Sequence, residues 1–231
     1  MGDNNIKQLQ EKLNYKFKKT KLLELALTHS SYANDNKMST HVSNQRLEFL
    51  GDSVLGMIVA QLIYKNKPEL TEGKMSKLRA DLVCEKTLAG FARGFDLGSY
   101  LLLSFGESKN GGRERPSILA DAFEAVIAAI YLDGGLKPAM KFVKGIFLPY
   151  IKNPIIHDSD YKTVFQEFIQ PKTELSYTYE TVAEEGPNHN KLFTVELRVN
   201  GETKGTGTGK SKKIAEQAAA KEALLNLKGD T

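Results

Sequence analysis

From Ile118 to Leu132 the chain reads ILADAFEAVIAAIYL, a stretch whose only charged residues are Asp121 and Glu124. A segment this apolar belongs inside a core, and an interval of three at ~100° per residue puts both acids on one helical face. The segment Asn44 to Tyr64 repeats the arrangement. Leu47, Leu50, Val54, Ile58 and Leu62 recur every three or four residues, while Glu48 and Asp52 lie four apart on the opposite side. Ionised carboxylates left dry and unpaired are disfavoured by several kcal/mol each, so something cationic or aqueous must meet them. One such pair is accommodated by a solvated face or by a nearby arginine, with Arg46, Arg79 and Arg93 available. Two pairs on two largely buried helices also amount to four oxygen ligands, a donor set suited to Mg²⁺ or Mn²⁺.

The rest of the chain narrows the chemistry. Zinc is disfavoured because His29, His41, His157 and His189 are scattered and Cys84, the one cysteine, reads as core packing. His29 reads either as a structural histidine or as one facing substrate. Carboxylate-held Mg²⁺ acts mainly on phosphates, where it activates water and needs no protein nucleophile. No G-x-S-x-G nucleophile elbow occurs. The tract GTGTGKS at 205–211 imitates a phosphate-binding loop, but Lys204 stands where the first glycine is required, so no nucleotide cofactor is expected. A single cysteine and a start without an apolar signal core fit a reducing cytoplasm. No unbroken run of about 18 apolar residues suggests a membrane span.

Periodicity divides the 231 residues into two parts. The first two-thirds reads as successive helices, at 5–13, 20–32, 44–64, 73–93 and from Pro116 onward, with a polar loop at 34–43. After NPIIHDSD the period changes. A helix near 160–170 precedes two alternating runs, Tyr177/Tyr179/Thr181 and Phe193/Val195/Leu197/Val199, the second ending on the hairpin signal Asn200-Gly201. A third strand reaches about Thr206. A last helix, with Ser211 as its N-cap, runs to Leu227, and Lys210, Lys212 and Lys213 crowd its start. Cations there oppose the helix dipole, whereas a bound phosphate reverses that sign. These lysines equally fit a plain solvated face.

RLEFLGDSVL (46–55) and PSILADAFEAVIAAIYLDGG (116–135) together resemble the bacterial ribonuclease III family. DYKTVFQEFIQ (160–170), GPNHNKLF (186–193) and GKSKKIAEQAAAKEAL (209–224) resemble a double-stranded RNA-binding domain. The resemblance implies a multidomain α and α+β protein. Residues 1–152 would form an all-helical catalytic domain, 153–159 a linker, and 160–231 an α-β-β-β-α RNA-binding domain. It implies a homodimer joined through the nuclease domain, with double-stranded RNA as partner. The expected activity is Mg²⁺-dependent hydrolysis by activated water, with Mn²⁺ as substitute, leaving 5′-phosphate and 3′-hydroxyl ends and two-nucleotide 3′ overhangs. Ribosomal and other structured precursor RNAs are the expected substrates.

Carried across by position, the family's metal ligands match Glu48, Asp52, Asp121 and Glu124, with Asp52 and Glu124 as the catalytic residues. Glu72 matches an accessory acidic position near the dimer cleft. Gln45 departs from the family's usual Glu and cannot supply its charge. The resemblance places Gln166 and Glu167 in one minor groove, His189 in the next, and Lys210, Lys212 and Lys213 across the phosphates between; such domains read A-form shape over ~16 base pairs. The loop 107–115 reads either as an RNA contact or as ordinary solvent loop. Two rivals stay open: an RNA-binding protein whose nuclease domain is only a scaffold, and a hydrolase of small phosphates. Net charge is +4, yet residues 160–231 carry 10 basic against 11 acidic side chains, so placement of the lysines must matter more than their number.

Overall fold

The computed structural model describes residues 3–39, 41–152, 161–170, 175–187 and 191–229. The chain forms two compact units, Met1–Pro154 and Ile155–Thr231, each with its own core. The 153–159 linker lies outside the described residues.

In the first unit, α1 (Asp3–Lys12), α2 (Thr20–Ala26) and α3 (Ser30–Asp35) precede the long α4 (Gln45–Asn66). Then follow α5 (Glu72–Leu82), α6 (Glu85–Gly94), the short α7 (Leu97–Tyr100) and α8 (Phe105–Lys109), a 3₁₀ turn at Gly112–Glu114, α9 (Pro116–Gly134) and α10 (Leu136–Lys152). The centre is α9. Phe123, Ala125, Val126, Ile127, Ala128, Ala129 and Ile130 are fully buried, and Pro116 opens the helix, where its missing N–H removes no bond. Against α9 packs the apolar face of α4, with Leu55, Ile58, Val59 and Ile63 buried. Although no unbroken apolar run marks it, α4 is by length and composition apolar enough to cross a membrane; its packing against α9 is what a core helix shows.

Two expected helices are broken. The 20–32 segment is interrupted at Thr28-His29 because His29 is extended (φ −72, ψ 151) and caps α3, its Nδ1 accepting from the Ser31 amide at 3.2 Å. Helix α3 then runs to Asp35, into the expected loop. The 73–93 segment breaks at Val83-Cys84, where Cys84 is extended (φ −72, ψ 153) and the Thr87 hydroxyl donates to the Asp81 carbonyl at 2.9 Å. The two pieces keep the same apolar phase, which is why periodicity alone merges them. Cys84 is exposed, not core: it stands at the turn that joins the two helices.

The second unit holds α11 (Tyr161–Ile169), an antiparallel sheet ordered β1 (Tyr177–Glu185), β2 (Leu192–Val199), β3 (Glu202–Gly209), and α12 (Lys212–Gly229). Asn200 and Gly201, at φ 49 and 84, make the β2–β3 turn in the left-handed region that Asn and Gly tolerate. Val195, Leu197 and Val199 bury one sheet face against Ala215, Ala219, Ala220 and Ala223 of α12. The GTGTG tract is part of this packing. Gly205, Gly207 and Gly209 face α12, where any Cβ would collide with the helix around Ala215, Ala219 and Ala223. Ser211 caps α12 as expected, its hydroxyl accepting from the Ile214 amide at 3.3 Å.

Candidate active site and nucleic-acid interface

Glycine 51 sets the site's geometry. It lies on α4 where a Cβ would overlap the backbone carbonyl of Glu124 on α9, so the two helices approach as closely as backbones can. Glu48 and Asp52 flank Gly51 on α4, while Asp121 and Glu124 occupy α9. The crossing therefore brings the two acidic pairs to one locus. Their electrostatics reflect the burial and mutual charge of this locus. Burial, and then the charges of Asp52, Asp121 and Glu48, push the Glu124 carboxyl up to about 8. Burial also raises Glu48, with Asp121 and Asp52 adding to it, and burial is the main cause that raises Asp121. Among the described residues no Lys or Arg offsets these shifts. Of the arginines available as neutralisers, Arg93 is committed elsewhere, to Glu114 at 3.6 Å.

Four carboxylates from two locked helices, with no Lys or Arg among the described residues to offset the raised ones, fit a hard divalent cation by donor type. Their side chains are not gathered on a common point: among the described residues no three His, Cys, Asp or Glu groups form a ready-made cluster. What the backbone crossing provides is that the charges of Glu48, Asp52 and Asp121 all act on Glu124.

Beside Asp121 lies a network that sequence spacing does not reveal. His29, lowered mainly by its burial, feels the charges of Glu107, Asp121 and Arg115. Arg115 pairs with Glu107 at 2.5 Å. Arg113 donates to the carbonyls of Gly98 (2.7 Å) and Leu101 (2.9 Å), and the Ser104 amide donates to the Ser31 hydroxyl (3.0 Å). Segment 107–115 is thus a folded, tethered element and not a free solvent loop. The clue in the sequence is the Arg-Glu-Arg run after two glycines, and nothing in it indicates the partners. Glu72 is not brought to the four carboxylates. It begins α5, accepts from Ser76 at 2.8 Å, and borders a cavity of about 370 Å³ with Tyr64 and Arg79. Gln45 opens α4, its side chain accepting a long bond from Ser43 at 3.5 Å.

In the second unit Gln166 and Glu167 stand exposed on α11, on the side away from buried Phe165 and Ile169. Lys210, Lys212 and Lys213 are exposed around the first turn of α12. His189 lies outside the described residues. Lys212 is engaged by Glu184 at 2.8 Å and lies 5.7 Å from the Phe193 ring centre.

These features define a two-unit protein: a helical domain with an acidic crossing, and an α-β-β-β-α module that presents lysines at a helix start. Comparison with known proteins specifies it further. A family model described as Ribonuclease-III-like matches residues 19–151, and one for the double-stranded RNA binding motif matches 161–227. Ribonuclease 3 of Caldanaerobacter subterraneus is 49% identical over 221 residues, covering 95% of this chain and 96% of the relative. Ribonuclease 3 of Bacillus cereus is 47% identical, covering 96% and 91%. The solved nuclease domain of ribonuclease III from Campylobacter jejuni, described for flexibility in a region involved in dimer formation, superposes with TM-score 0.58 at 42% identity. It covers 65% of this chain and 100% of its own. The chain belongs to the ribonuclease III family, metal-dependent endoribonucleases that act on double-stranded RNA.

Proposed function

We propose that this chain is a homodimeric, Mg²⁺-dependent enzyme of the cytoplasm that cuts structured precursor RNAs, ribosomal precursors among them. It leaves 5′-phosphate and 3′-hydroxyl ends with two-nucleotide 3′ overhangs. The observation that carries the reading is the α4–α9 crossing, which carries Glu48, Asp52, Asp121 and Glu124 and where, among the described residues, no Lys or Arg offsets the three raised carboxyls; His29 alone acts against the rise, and only at Asp121. Those four residues would hold the cation, with Mn²⁺ as substitute; when bound, it supplies acidity to water and neutralises charge on the phosphodiester. Asp52 and Glu124 are assigned as the catalytic pair. Glu124, its carboxyl raised to about 8, is a group that must give up a proton as the site charges. Intact acidic pairs weigh against the scaffold rival, and the RNA-binding module weighs against small phosphates. Cleavage of a long duplex RNA with Mg²⁺ and its loss with chelator tests the reading directly, and end-mapping of the fragments tests the product ends.

The dimer rests on α4. Phe49, Met57 and Tyr64 are 78%, 50% and 72% exposed, and at ~100° per residue they fall within about 80° of one another. Ser53, Gly56 and Ala60 lie between them on the same stripe. A bulky-edged, small-centred apolar face suits a second copy of itself, and Glu72 beside Tyr64 would then lie near the seam. Phe49→Asp is expected to shift the protein from dimer to monomer in sedimentation and to reduce cleavage at least tenfold. A dimeric Phe49→Asp variant would remove this face from the interface.

Lys210, Lys212 and Lys213 are assigned to phosphates, with Gln166, Glu167 and His189 toward the grooves. Replacing all three lysines by alanine should weaken duplex binding in chelator and flatten the plot of log affinity against log salt, its slope falling by roughly 2–3. An unchanged slope would refute this contact.

A further inference from the structure

Glutamate 184, near the end of β1, holds two cations at once. Its Oε1 meets Lys212 at 2.8 Å and its Oε2 meets Lys191 at 3.4 Å. Lys212 begins α12, where exposed N–H groups and the helix dipole already favour an anion. Lys191 immediately precedes β2, the strand that pairs with β1. Both lysines hold the Glu184 carboxyl below its ordinary range. The Glu184 carboxylate therefore sits where a phosphate approaching Lys212 would have to go, as an internal stand-in for one phosphate oxygen pair.

We propose that Glu184 is a selectivity-determining residue of the RNA-binding module, one that disfavours polyanions unable to displace or bypass it. This rests on the reading that Lys212 meets phosphate. The physical argument is one of competition. Any anion drawn to Lys212 must break an existing charge pair and then lie beside the freed carboxylate, which repels it. An A-form duplex offsets that loss through simultaneous contacts elsewhere on the module, at exposed Gln166 and Glu167 of α11. A B-form duplex or a flexible polyanion, which matches only the charge, cannot. Pairs as exposed as this one contribute little to folding, so selection for stability is a weak reason for a clamp of two lysines on one acid. A second acid–lysine pair of the sheet, Glu202 with Lys204 at 2.7 Å, lies at the opposite end of the sheet and serves as the comparison.

The test uses the full-length chain in chelator, so that no cleavage occurs, at one fixed salt concentration. Binding is measured to a 24-base-pair RNA duplex and to a DNA duplex of the same sequence. For Glu184→Gln the affinity for DNA should rise about three- to tenfold, with a smaller change for RNA, so the RNA-to-DNA ratio falls at least threefold. Glu202→Gln should leave the ratio unchanged. A Glu184→Gln ratio equal to the wild-type ratio, with melting temperature unaltered, overturns the proposal. Lys212→Ala separates the two readings. If that variant binds RNA as tightly as wild type, it is the phosphate-contact assignment that fails.

Discussion

Glu124→Gln is expected to stop cleavage of duplex RNA almost completely, by at least three orders of magnitude, while making the protein more stable at alkaline pH. A thousandfold loss corresponds to about 4 kcal/mol of lost transition-state stabilisation. Glutamine keeps the shape of the side chain and removes the charge that a divalent cation requires. The stability effect follows from the raised carboxyl, about 8 in the folded protein against about 4.5 in the unfolded chain. Because the folded state holds this proton more tightly, its contribution to stability is full below pH ~4.5 and is lost as pH rises through about 8. Glutamine, always neutral, never suffers that loss. In chelator at pH 9 the variant should exceed wild type by about 1–2 kcal/mol, a figure that allows for solvent reaching a partly buried group. At pH 5 the two should melt together. Denaturant unfolding at both pH values reads this directly, with duplex binding retained as a check on the second unit. Equal stability at pH 9 would mean that folding does not raise the Glu124 carboxyl, and full activity would remove it from the mechanism.

The contrast between what the residues announce and what they conceal follows from the range of the interactions involved. Alternation in Phe193–Val199 with Asn200-Gly201 is local, and the sheet follows it in register, apart from irregularities at Thr181/Ala183 and Leu197/Arg198. The acidic pairs were legible because charge inside an apolar helix is costly wherever the helix is placed. Their convergence was not, since it depends on Gly51 meeting the Glu124 carbonyl across 73 residues of chain. A glycine inside a helical period signals only a small local penalty until the neighbour is known. Helix breaks at His29 and Cys84 escaped periodicity for a related reason. At His29 the break goes with a cap that spans two residues, and at Cys84 with the Thr87 hydroxyl reaching back over the turn to the Asp81 carbonyl, while the apolar phase continues across both. Position 107, likewise, becomes informative only once α8 sets Glu107 against Arg115 and near His29.

Gly51→Ala should be the most damaging single-methyl change in the catalytic unit. The added carbon meets backbone, the Glu124 carbonyl, which cannot rotate aside as a side chain could. Relief requires α4 and α9 to separate, and Leu55, Ile58 and Val59 on one side and Ala125, Ala128 and Ala129 on the other would lose packing. Overpacking of this kind disfavours the fold by about 1–3 kcal/mol, which for a chain of this size lowers the melting temperature by several degrees. Catalysis should suffer more than stability does. Separation moves Glu48 and Asp52 away from Asp121 and Glu124 together, and a displacement near ~1 Å in a reacting constellation can reduce rate about a hundredfold. Cleavage should therefore fall by about two orders of magnitude at temperatures where the variant is still folded, with duplex binding in chelator unchanged. Gly90→Ala is the matched control. Gly90 lies on α6 with no atom within 4 Å of an added Cβ, so alanine there should leave cleavage intact and raise stability by about 0.5–1 kcal/mol. If Gly51→Ala instead behaves like Gly90→Ala, α4 and α9 do not need this close a crossing to hold the four carboxylates.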